Sequence, residues 1–323
     1  MAIVGLSTGW VGRYVLFTMI QAVESQSAVH RFRLYQRERL PIGLIVPIGV
    51  LGGASLVVLA AQLAGATVQL GHIALVCACV VCLLALHRAV ADIAAYHRHV
   101  AHHPTSAMAT GAVGRRDLVA IACGLAVTAL ALHGLFAMAV PPALVMAIAA
   151  ILGVGAVSAL TTPVDRPRVG LTAGTRAVSY LAIAYFAASS GWALGTPTTV
   201  AIALPGFAFV GGLAWEFARD IRGPRDEVPG DAAISDVWGP LPTILAWFVL
   251  MMAAGSLIAW VALPLPYAWI MAIVIDVTLL IAAGFGVAYL RDPSARRGQW
   301  VAGYTVAWTL GLPAILACRI QVL

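Results

Sequence analysis

Apolar stretches of about twenty residues, separated by short polar connections, make up most of this 323-residue chain. Each is close to the ~20 residues that a helix needs to cross the hydrocarbon core of a bilayer. They predict nine transmembrane helices, at 41–63, 70–92, 117–138, 141–161, 176–194, 198–218, 241–262, 266–290 and 299–318. The first forty residues are more polar, and their apolar stretch is too short to span. We therefore expect an interfacial segment at 1–40 and one transmembrane domain at 41–323.

The arginines divide the connections into two classes. Basic residues concentrate in the cytoplasmic loops of membrane proteins. Apart from Arg319, the arginines lie in the first forty residues or around the second, fourth, sixth and eighth connections. The other connections, near 64–69, 139–140, 195–197 and 263–265, hold no charged residue. This pattern predicts a cytoplasmic N-terminus and an outside C-terminus, and it places the long polar connections at about 88–116 and 215–240 on the cytoplasmic side.

The composition excludes other classes of protein. The chain is 62% hydrophobic and 10% charged, and its mean hydropathy is +0.95. In a soluble domain about a quarter of the residues are charged. A transmembrane barrel would need short alternating segments, whereas the apolar runs here are unbroken. The net charge of +6 comes from arginine and indicates contact with anionic membrane lipids. No motif for nucleic-acid binding is present, so we expect no nucleic-acid partner.

The segment 215–239 concentrates charge where an apolar stretch meets water. It reads WEFARDIRGPRDEVPGDAAISDVWG and holds six of the 13 acids and three arginines. Carboxylates suit a magnesium ion, and arginine side chains bind phosphate in a planar fork. Glu216 and Asp220 lie one helical turn apart, and Asp226 and Glu227 follow a Gly-Pro pair that is expected to end the helix. The alternative is a solvated helix end whose surface ion pairs contribute little.

This segment resembles the second aspartate-rich motif of the UbiA superfamily of intramembrane prenyltransferases. The run EFARDIRGPRDEVPG is similar to E-x-x-K-D-I-x-x-x-x-x-D-x-x-x-G, with Asp220 and Asp226 one residue closer than in many members. Glu216, Asp220 and Asp226 match the acids, and Arg219 matches the basic position. Together with ISDVWG and RLYQRERLP, the run is more similar still to a bacterial branch with the pattern KIR-x-P-x-DE-x-x-G-x-x-x-YS-x-x-WG.

Only the alignment frame and one acid of that family's first aspartate-rich motif are kept in this chain. Its N-D-x-x-D-x-x-x-D pattern aligns without gaps on the residues that begin at Ala91, and of its acids only Asp92 is kept. Ala95 and His99 replace the second and third. The acids of the intact motif share one helix face, at i, i+3 and i+7. At most one hard oxygen ligand therefore remains in this loop, and we do not expect two complete magnesium sites.

The resemblance implies an all-α, nine-helix membrane bundle with a central cavity capped by the two loops, in a bacterial inner (plasma) membrane. It also implies Mg²⁺ as cofactor and an isoprenoid diphosphate as ligand, with the acceptor left open. The candidate metal ligands are Asp92, Glu216, Asp220, Asp226 and Glu227. The candidate diphosphate-binding residues are Arg88, His99, Arg219, Arg222 and Arg225. The candidate catalytic residues are Asp92, Asp220 and Asp276.

Asp276 is a candidate on hydropathy alone, because it lies within the apolar run MAIVIDVTLL. An unpaired carboxylate at that depth is unfavourable, so we expect it to face the protein interior, protonated or paired. It would stabilise a carbocation or take a proton, or else form a buried hydrogen bond. The histidines of the first loop are either interfacial polar residues, diphosphate contacts made by protonated rings, or metal ligands.

Three functions remain open from the sequence. The first is a prenyl-diphosphate-processing enzyme that transfers the prenyl group to an acceptor. The second is a terpene cyclase of the same fold, which needs no acceptor. The third is a non-catalytic isoprenoid-binding or partner subunit, favoured by the loss of acids from the first motif. A transporter is less well supported, since no matched pair of discontinuous helices is evident.

Overall fold

The fold is all-helical over the residues described by this computed structural model, which are 27–137, 141–161, 169–196, 198–222, 233–265 and 267–320. A 3₁₀ turn, Thr199–Ile202, precedes the eighth of twelve helices in those ranges. The helices are α1 (Ala28–Glu38), α2 (Ile42–Leu63), α3 (Leu70–Ala94), α4 (Tyr96–His102), α5 (Arg115–Ala137), α6 (Pro142–Thr161), α7 (Val169–Trp192), α8 (Ala203–Arg219), α9 (Ile234–Trp238), α10 (Pro240–Ala262), α11 (Ala268–Arg291) and α12 (Ala295–Ile320).

Seven of these helices are long and apolar enough to cross a membrane, namely α2, α3, α5, α6, α10, α11 and α12. The protein is therefore an integral membrane protein. The other two long helices correspond to the fifth and sixth predicted spans. Helix α8 has 17 residues, and α7 contains Arg176 near its start. Within the described ranges each predicted span thus coincides with a long helix, and membrane crossing is supported for seven of the nine.

The start of α7 differs from the prediction. The predicted span began at residue 176, because an arginine was expected to mark a polar connection. The helix instead begins at Val169, so Arg176 lies two turns inside it. Its charge is compensated there by an ion pair with Glu216 of α8. A tertiary contact has therefore extended a helix that hydropathy alone would shorten.

Close helix contacts enclose the centre of the bundle. Helix α7 packs against α2, α6 and α8. At Gly191 of α7 an added Cβ would lie 2.4 Å from the carbonyl oxygen of Val57 on α2. At Gly195 it would lie 2.3 Å from the carbonyl oxygen of Ala64. Small residues allow such backbone approach in membrane helices, and any larger side chain here would force α2 and α7 apart.

The segment before the first span folds onto the first loop. Tyr35 and Leu40 are buried with Met108, Val113 and Leu118 in a small apolar cluster, distinct from the main core. The loop is also held by polar contacts. Glu38 Oε2 accepts a hydrogen bond from the backbone N–H of Ala107 at 2.8 Å, and Arg31 pairs with Asp117 at 3.1 Å. Helix α1 therefore packs against the first loop and helps to hold it in place.

The chain leaving α8 is fixed to its return point. Ser235 Oγ accepts a hydrogen bond from the backbone N–H of Arg222 at 3.0 Å and donates one to the carbonyl of Asp220 at 3.2 Å. Tyr289 of α11 donates to the carbonyl of Arg222 at 2.6 Å. Gly239, with φ of 82°, then makes the left-handed turn into α10. These contacts place Arg222 beside Ser235.

Candidate functional site

A cavity of about 440 Å³ lies between α2, α3, α7, α8 and α12. Most of its wall is apolar, with side chains such as Leu44, Ile48, Leu84, Ile183 and Phe207. Its polar end is bordered by Glu38, Arg39, Arg88, Arg176 and Arg219. Along α8 the lining runs from Phe207 to Arg219, about 18 Å at 1.5 Å per residue. The cavity thus has a long apolar body and a cationic end.

Asp92 is held at the polar end by three donors. Its side chain is only 3% exposed. Oδ1 accepts from Nη2 of Arg39 at 2.8 Å, and Oδ2 accepts from the hydroxyl of Tyr35 at 3.0 Å. Arg88, one turn earlier on α3, places Nε 3.3 Å from Oδ2. The same Nε donates to the carbonyl of Arg39 at 3.0 Å, which ties α3 to the end of α1.

Glu216 forms a second cluster of the same kind. Its side chain is 1% exposed. Oε2 accepts from Nη2 of Arg219 at 2.6 Å and from Nη1 of Arg176 at 3.1 Å. Oε1 accepts from the hydroxyl of Tyr180 at 2.9 Å. Both buried carboxylates are thus surrounded by two arginines and a tyrosine, contributed by different parts of the chain.

Burial shifts the pKa of two groups at the polar end of the cavity. Asp220 follows Arg219 at the end of α8, and its Oδ1 lies 3.8 Å from Nε of Arg219. Burial raises the pKa of Asp220, although the neighbouring arginine opposes that change. Burial also raises the pKa of Tyr35, and the negative charge of Asp92 adds to the effect. Tyr35 is therefore a neutral hydrogen-bond donor at physiological pH.

The described residues do not form a magnesium site. Mg²⁺ requires carboxylate or water oxygens in octahedral geometry. All four oxygens of Asp92 and Glu216 already accept hydrogen bonds from arginine or tyrosine. In the described ranges no three His, Cys, Asp or Glu side chains are grouped so as to hold a metal. Asp226 and Glu227, like Arg225, lie outside those ranges, so their predicted roles stay predictions.

His99 lies near the polar end on α4. Its ring stacks on that of His103, with centroids 4.4 Å apart, and its Nε2 is buried with no hydrogen-bond partner. Burial and the charge of Arg39 lower the pKa of His99 to about 4. The imidazole is therefore neutral at pH 7. The predicted contact between a diphosphate and a protonated histidine is therefore not supported at His99, where any such contact would be made by the neutral ring.

Asp276 does not face the interior, so that expectation was wrong. It lies on the exposed side of α11, among Ile273, Val277 and Leu280, and it is not among the residues that line the cavity. Because nearly every residue of α11 is apolar, its hydropathy could not show which face is buried. A role for Asp276 in chemistry inside the cavity has no geometric support.

We accordingly expect Asp276→Leu to leave ligand binding unchanged and to stabilise the protein in a bilayer. A central acidic residue raises the free energy of helix insertion by up to about 3 kcal/mol relative to leucine. Thermal unfolding in lipid nanodiscs and a titration with a prenyl diphosphate measure the two effects. Loss of prenyl diphosphate binding in this variant would instead indicate that Asp276 contributes to the site.

The sequence did not identify four of the side chains that build this site, which are Tyr35, Arg39, Arg176 and Tyr180. Tyr35 and Arg39 lie in the segment RLYQRERLP, which contributed to the resemblance but was given no role in the site. Arg176 was interpreted only as a topology signal. An arginine two turns inside an apolar helix is itself a functional signal, because such a charge needs a partner within the bundle. Tyr180 carried no such signal.

No protein-family model and no curated protein matches the sequence. Solved structures do match. A structure of digeranylgeranylglyceryl phosphate synthase has 14% identity and a TM-score of 0.59, over 90% of this chain and 99% of that one. A UbiA homologue from Archaeoglobus fulgidus, bound to GPP and Mg²⁺, has 15% identity and a TM-score of 0.53, over 88% and 99%. An apo UbiA homologue from Aeropyrum pernix K1 has 15% identity and a TM-score of 0.50, over 85% and 98%.

Proposed function

Starting from the UbiA-type fold, which these structures share with the chain, we propose an intramembrane enzyme that processes a prenyl diphosphate. It binds an isoprenoid diphosphate in the cavity and transfers the prenyl group to an acceptor. The observation that carries the proposal is the shape and charge of the cavity. A mainly apolar cavity that runs about 18 Å along α8 and ends in four arginines complements an apolar chain with an anionic headgroup.

The two parts of the cavity have different tasks. The apolar walls bury the prenyl chain, and each Å² of apolar surface removed from water contributes about 25 cal/mol. The arginines neutralise the headgroup, where negative charge grows as the bond between carbon and oxygen breaks. Asp92 and Glu216 orient these arginines, so the cationic end is already arranged before a ligand arrives.

Magnesium dependence remains a prediction. The A. fulgidus homologue was solved with GPP and Mg²⁺, and a bound divalent cation neutralises charge on a leaving diphosphate. In this chain the remaining candidate ligands are Asp220 and, beyond the described residues, Asp226 and Glu227. We also propose that α7 and α8 cross the membrane with the other seven long helices. The site would then face the cytoplasm of a bacterial inner membrane, with the C-terminus outside.

A second function is favoured by one observation. Every carboxylate oxygen of Asp92 and Glu216 is occupied by arginine or tyrosine, so two of the acids predicted to bind metal are engaged elsewhere. A non-catalytic isoprenoid-binding subunit would keep the cavity and its arginines without needing those ligands. It differs from the enzyme in one measurable property, which is release of diphosphate.

The test uses purified protein in nanodiscs, labelled geranyl diphosphate, Mg²⁺ and a membrane lipid extract as the source of acceptor. The enzyme releases diphosphate and yields a prenylated lipid. A cyclic product formed without the extract would instead identify a cyclase. Saturable binding without diphosphate release would identify the binding subunit, and absence of binding would exclude all three functions.

A further inference from the structure

We infer that the polar end of the cavity binds its anionic headgroup through arginine side chains directly, with no divalent cation between protein and phosphate. The inference rests on the proposed function, because it concerns the same cavity and the same ligand. It goes further by separating recognition of the headgroup from any need for metal in turnover. The ligand class is an isoprenoid phosphate or diphosphate.

Arginine and tyrosine side chains already engage the buried acids. A metal at either oxygen of Asp92, or at Oε2 of Glu216, would compete with an arginine for the same oxygen. At Oε1 of Glu216 it would compete with the hydroxyl of Tyr180. Losing an arginine from a buried pair is unfavourable, because the remaining charge is left uncompensated. Since Glu216 is 1% exposed and Asp92 3% exposed, water cannot readily replace the lost partners. The acids are therefore positioning residues for the arginines.

The ion pairs leave several arginine N–H donors free to bind a ligand. A guanidinium group carries five N–H donors in a planar fork. The bonds to the two acids use Nη2 of Arg39, Nε of Arg88, Nη1 of Arg176 and Nη2 of Arg219. Other N–H groups therefore remain on each of these side chains, which all border the cavity. Nε of Arg39 is buried and has no hydrogen-bond partner, so a ligand oxygen there would satisfy it.

Arginine is also the most frequent charged side chain at this end. Four guanidinium groups border it, and ion pairs join them to Asp92 and Glu216, with Asp220 3.8 Å from Arg219. Glu38 also borders the cavity, and its Oε2 accepts from the backbone of Ala107. The four arginines outnumber the three carboxylates that they contact, which favours an anion at their remaining donors. Charge-assisted bonds from arginine to phosphate are about twice as strong as neutral ones.

The test measures binding of geranyl diphosphate to the unmodified protein in phosphatidylcholine nanodiscs, once with EDTA and once with Mg²⁺. We expect the Kd in EDTA to stay within about tenfold of the Kd in Mg²⁺, equivalent to about 1.4 kcal/mol. A loss of more than that on removing metal would overturn the inference and leave the proposed function standing. Absence of binding in both buffers would overturn the proposed function itself.

A pair of double variants assigns metal-free binding to the arginines. Arg39→Gln with Asp92→Asn removes one cation together with the acid that positions it. Arg88, the second arginine at Asp92, keeps its hydrogen bond to the backbone carbonyl of residue 39. We expect it to weaken binding in EDTA by at least about tenfold. The control, Arg297→Gln with Asp292→Asn, removes an ion pair of 3.3 Å at the same end of the bundle but outside the cavity. Equal affinity of both double variants in EDTA would overturn the assignment.

Discussion

Replacing Glu216 with alanine is expected to destabilise the protein by about 3–5 kcal/mol, because it leaves buried arginine charges without a partner. Glu216 accepts hydrogen bonds from Arg176, Tyr180 and Arg219, on two helices, and its own side chain is 1% exposed. Without Glu216, Arg176 loses the ion pair that compensates its charge inside α7. Thermal unfolding in detergent, followed by tryptophan fluorescence, measures the loss.

Two matched variants make this prediction specific. Glu216→Gln keeps the shape and part of the hydrogen bonding, so it is expected to lie between the wild type and the alanine variant. Asp292→Ala removes a carboxylate of the pair with Arg297 that is 63% exposed, and exposed pairs contribute roughly 0–1 kcal/mol. If Glu216→Ala unfolded at the same temperature as Asp292→Ala, the buried cluster would not have the role described.

Ala208→Trp is expected to abolish binding of a long prenyl diphosphate, with a loss of at least about 100-fold in affinity, or about 2.7 kcal/mol. Ala208 lines the apolar body on α8, about 16 Å along the helix from Arg219. An indole there would occupy the space of the distal part of the chain. Titration with geranylgeranyl diphosphate in nanodiscs measures the effect.

The short ligand dimethylallyl diphosphate is the internal control, since its chain does not extend to Ala208. Its affinity is expected to change little. Ala272→Trp supplies a variant control, because Ala272 lies on the exposed side of α11, away from the cavity lining. Equal loss of both ligands in Ala208→Trp would indicate a general disturbance of the bundle, and retention of the long ligand would place its chain elsewhere.

The helices were largely predictable, because a bilayer requires long apolar segments with internally satisfied backbones. The exception at α7 shows the limit of that rule. The hydropathy pattern predicted that the helix begins at Arg176. An ion pair with Glu216, forty positions later, instead allows Arg176 to lie inside the helix. The outward position of Asp276 was not predictable for a related reason. When all sides of a helix are apolar, only packing determines which side faces the protein.

The position of Glu216 and Asp220 could be predicted from the sequence, but the side chains that contact the acids could not. The motif predicted that Glu216 and Asp220 lie where α8 reaches the polar end of the bundle, and that is where the structure has them. Whether an acid binds a metal or an arginine depends on its tertiary neighbours. Tyr35 and Arg39 reach Asp92 across more than fifty positions of sequence, and no local spacing encodes that contact.

The hydrogen bond between Arg222 and Ser235 has a consequence for how this protein could diverge. It holds Arg222 beside Ser235, on either side of residues 223–232, and Tyr289 binds the carbonyl of Arg222. Between two fixed anchors, doubling the length of a chain costs only about 0.6 kcal/mol in closure entropy. We therefore expect insertions and deletions between these two anchors to be nearly neutral for stability. The one-residue shorter spacing between Asp220 and Asp226 is a difference of this kind.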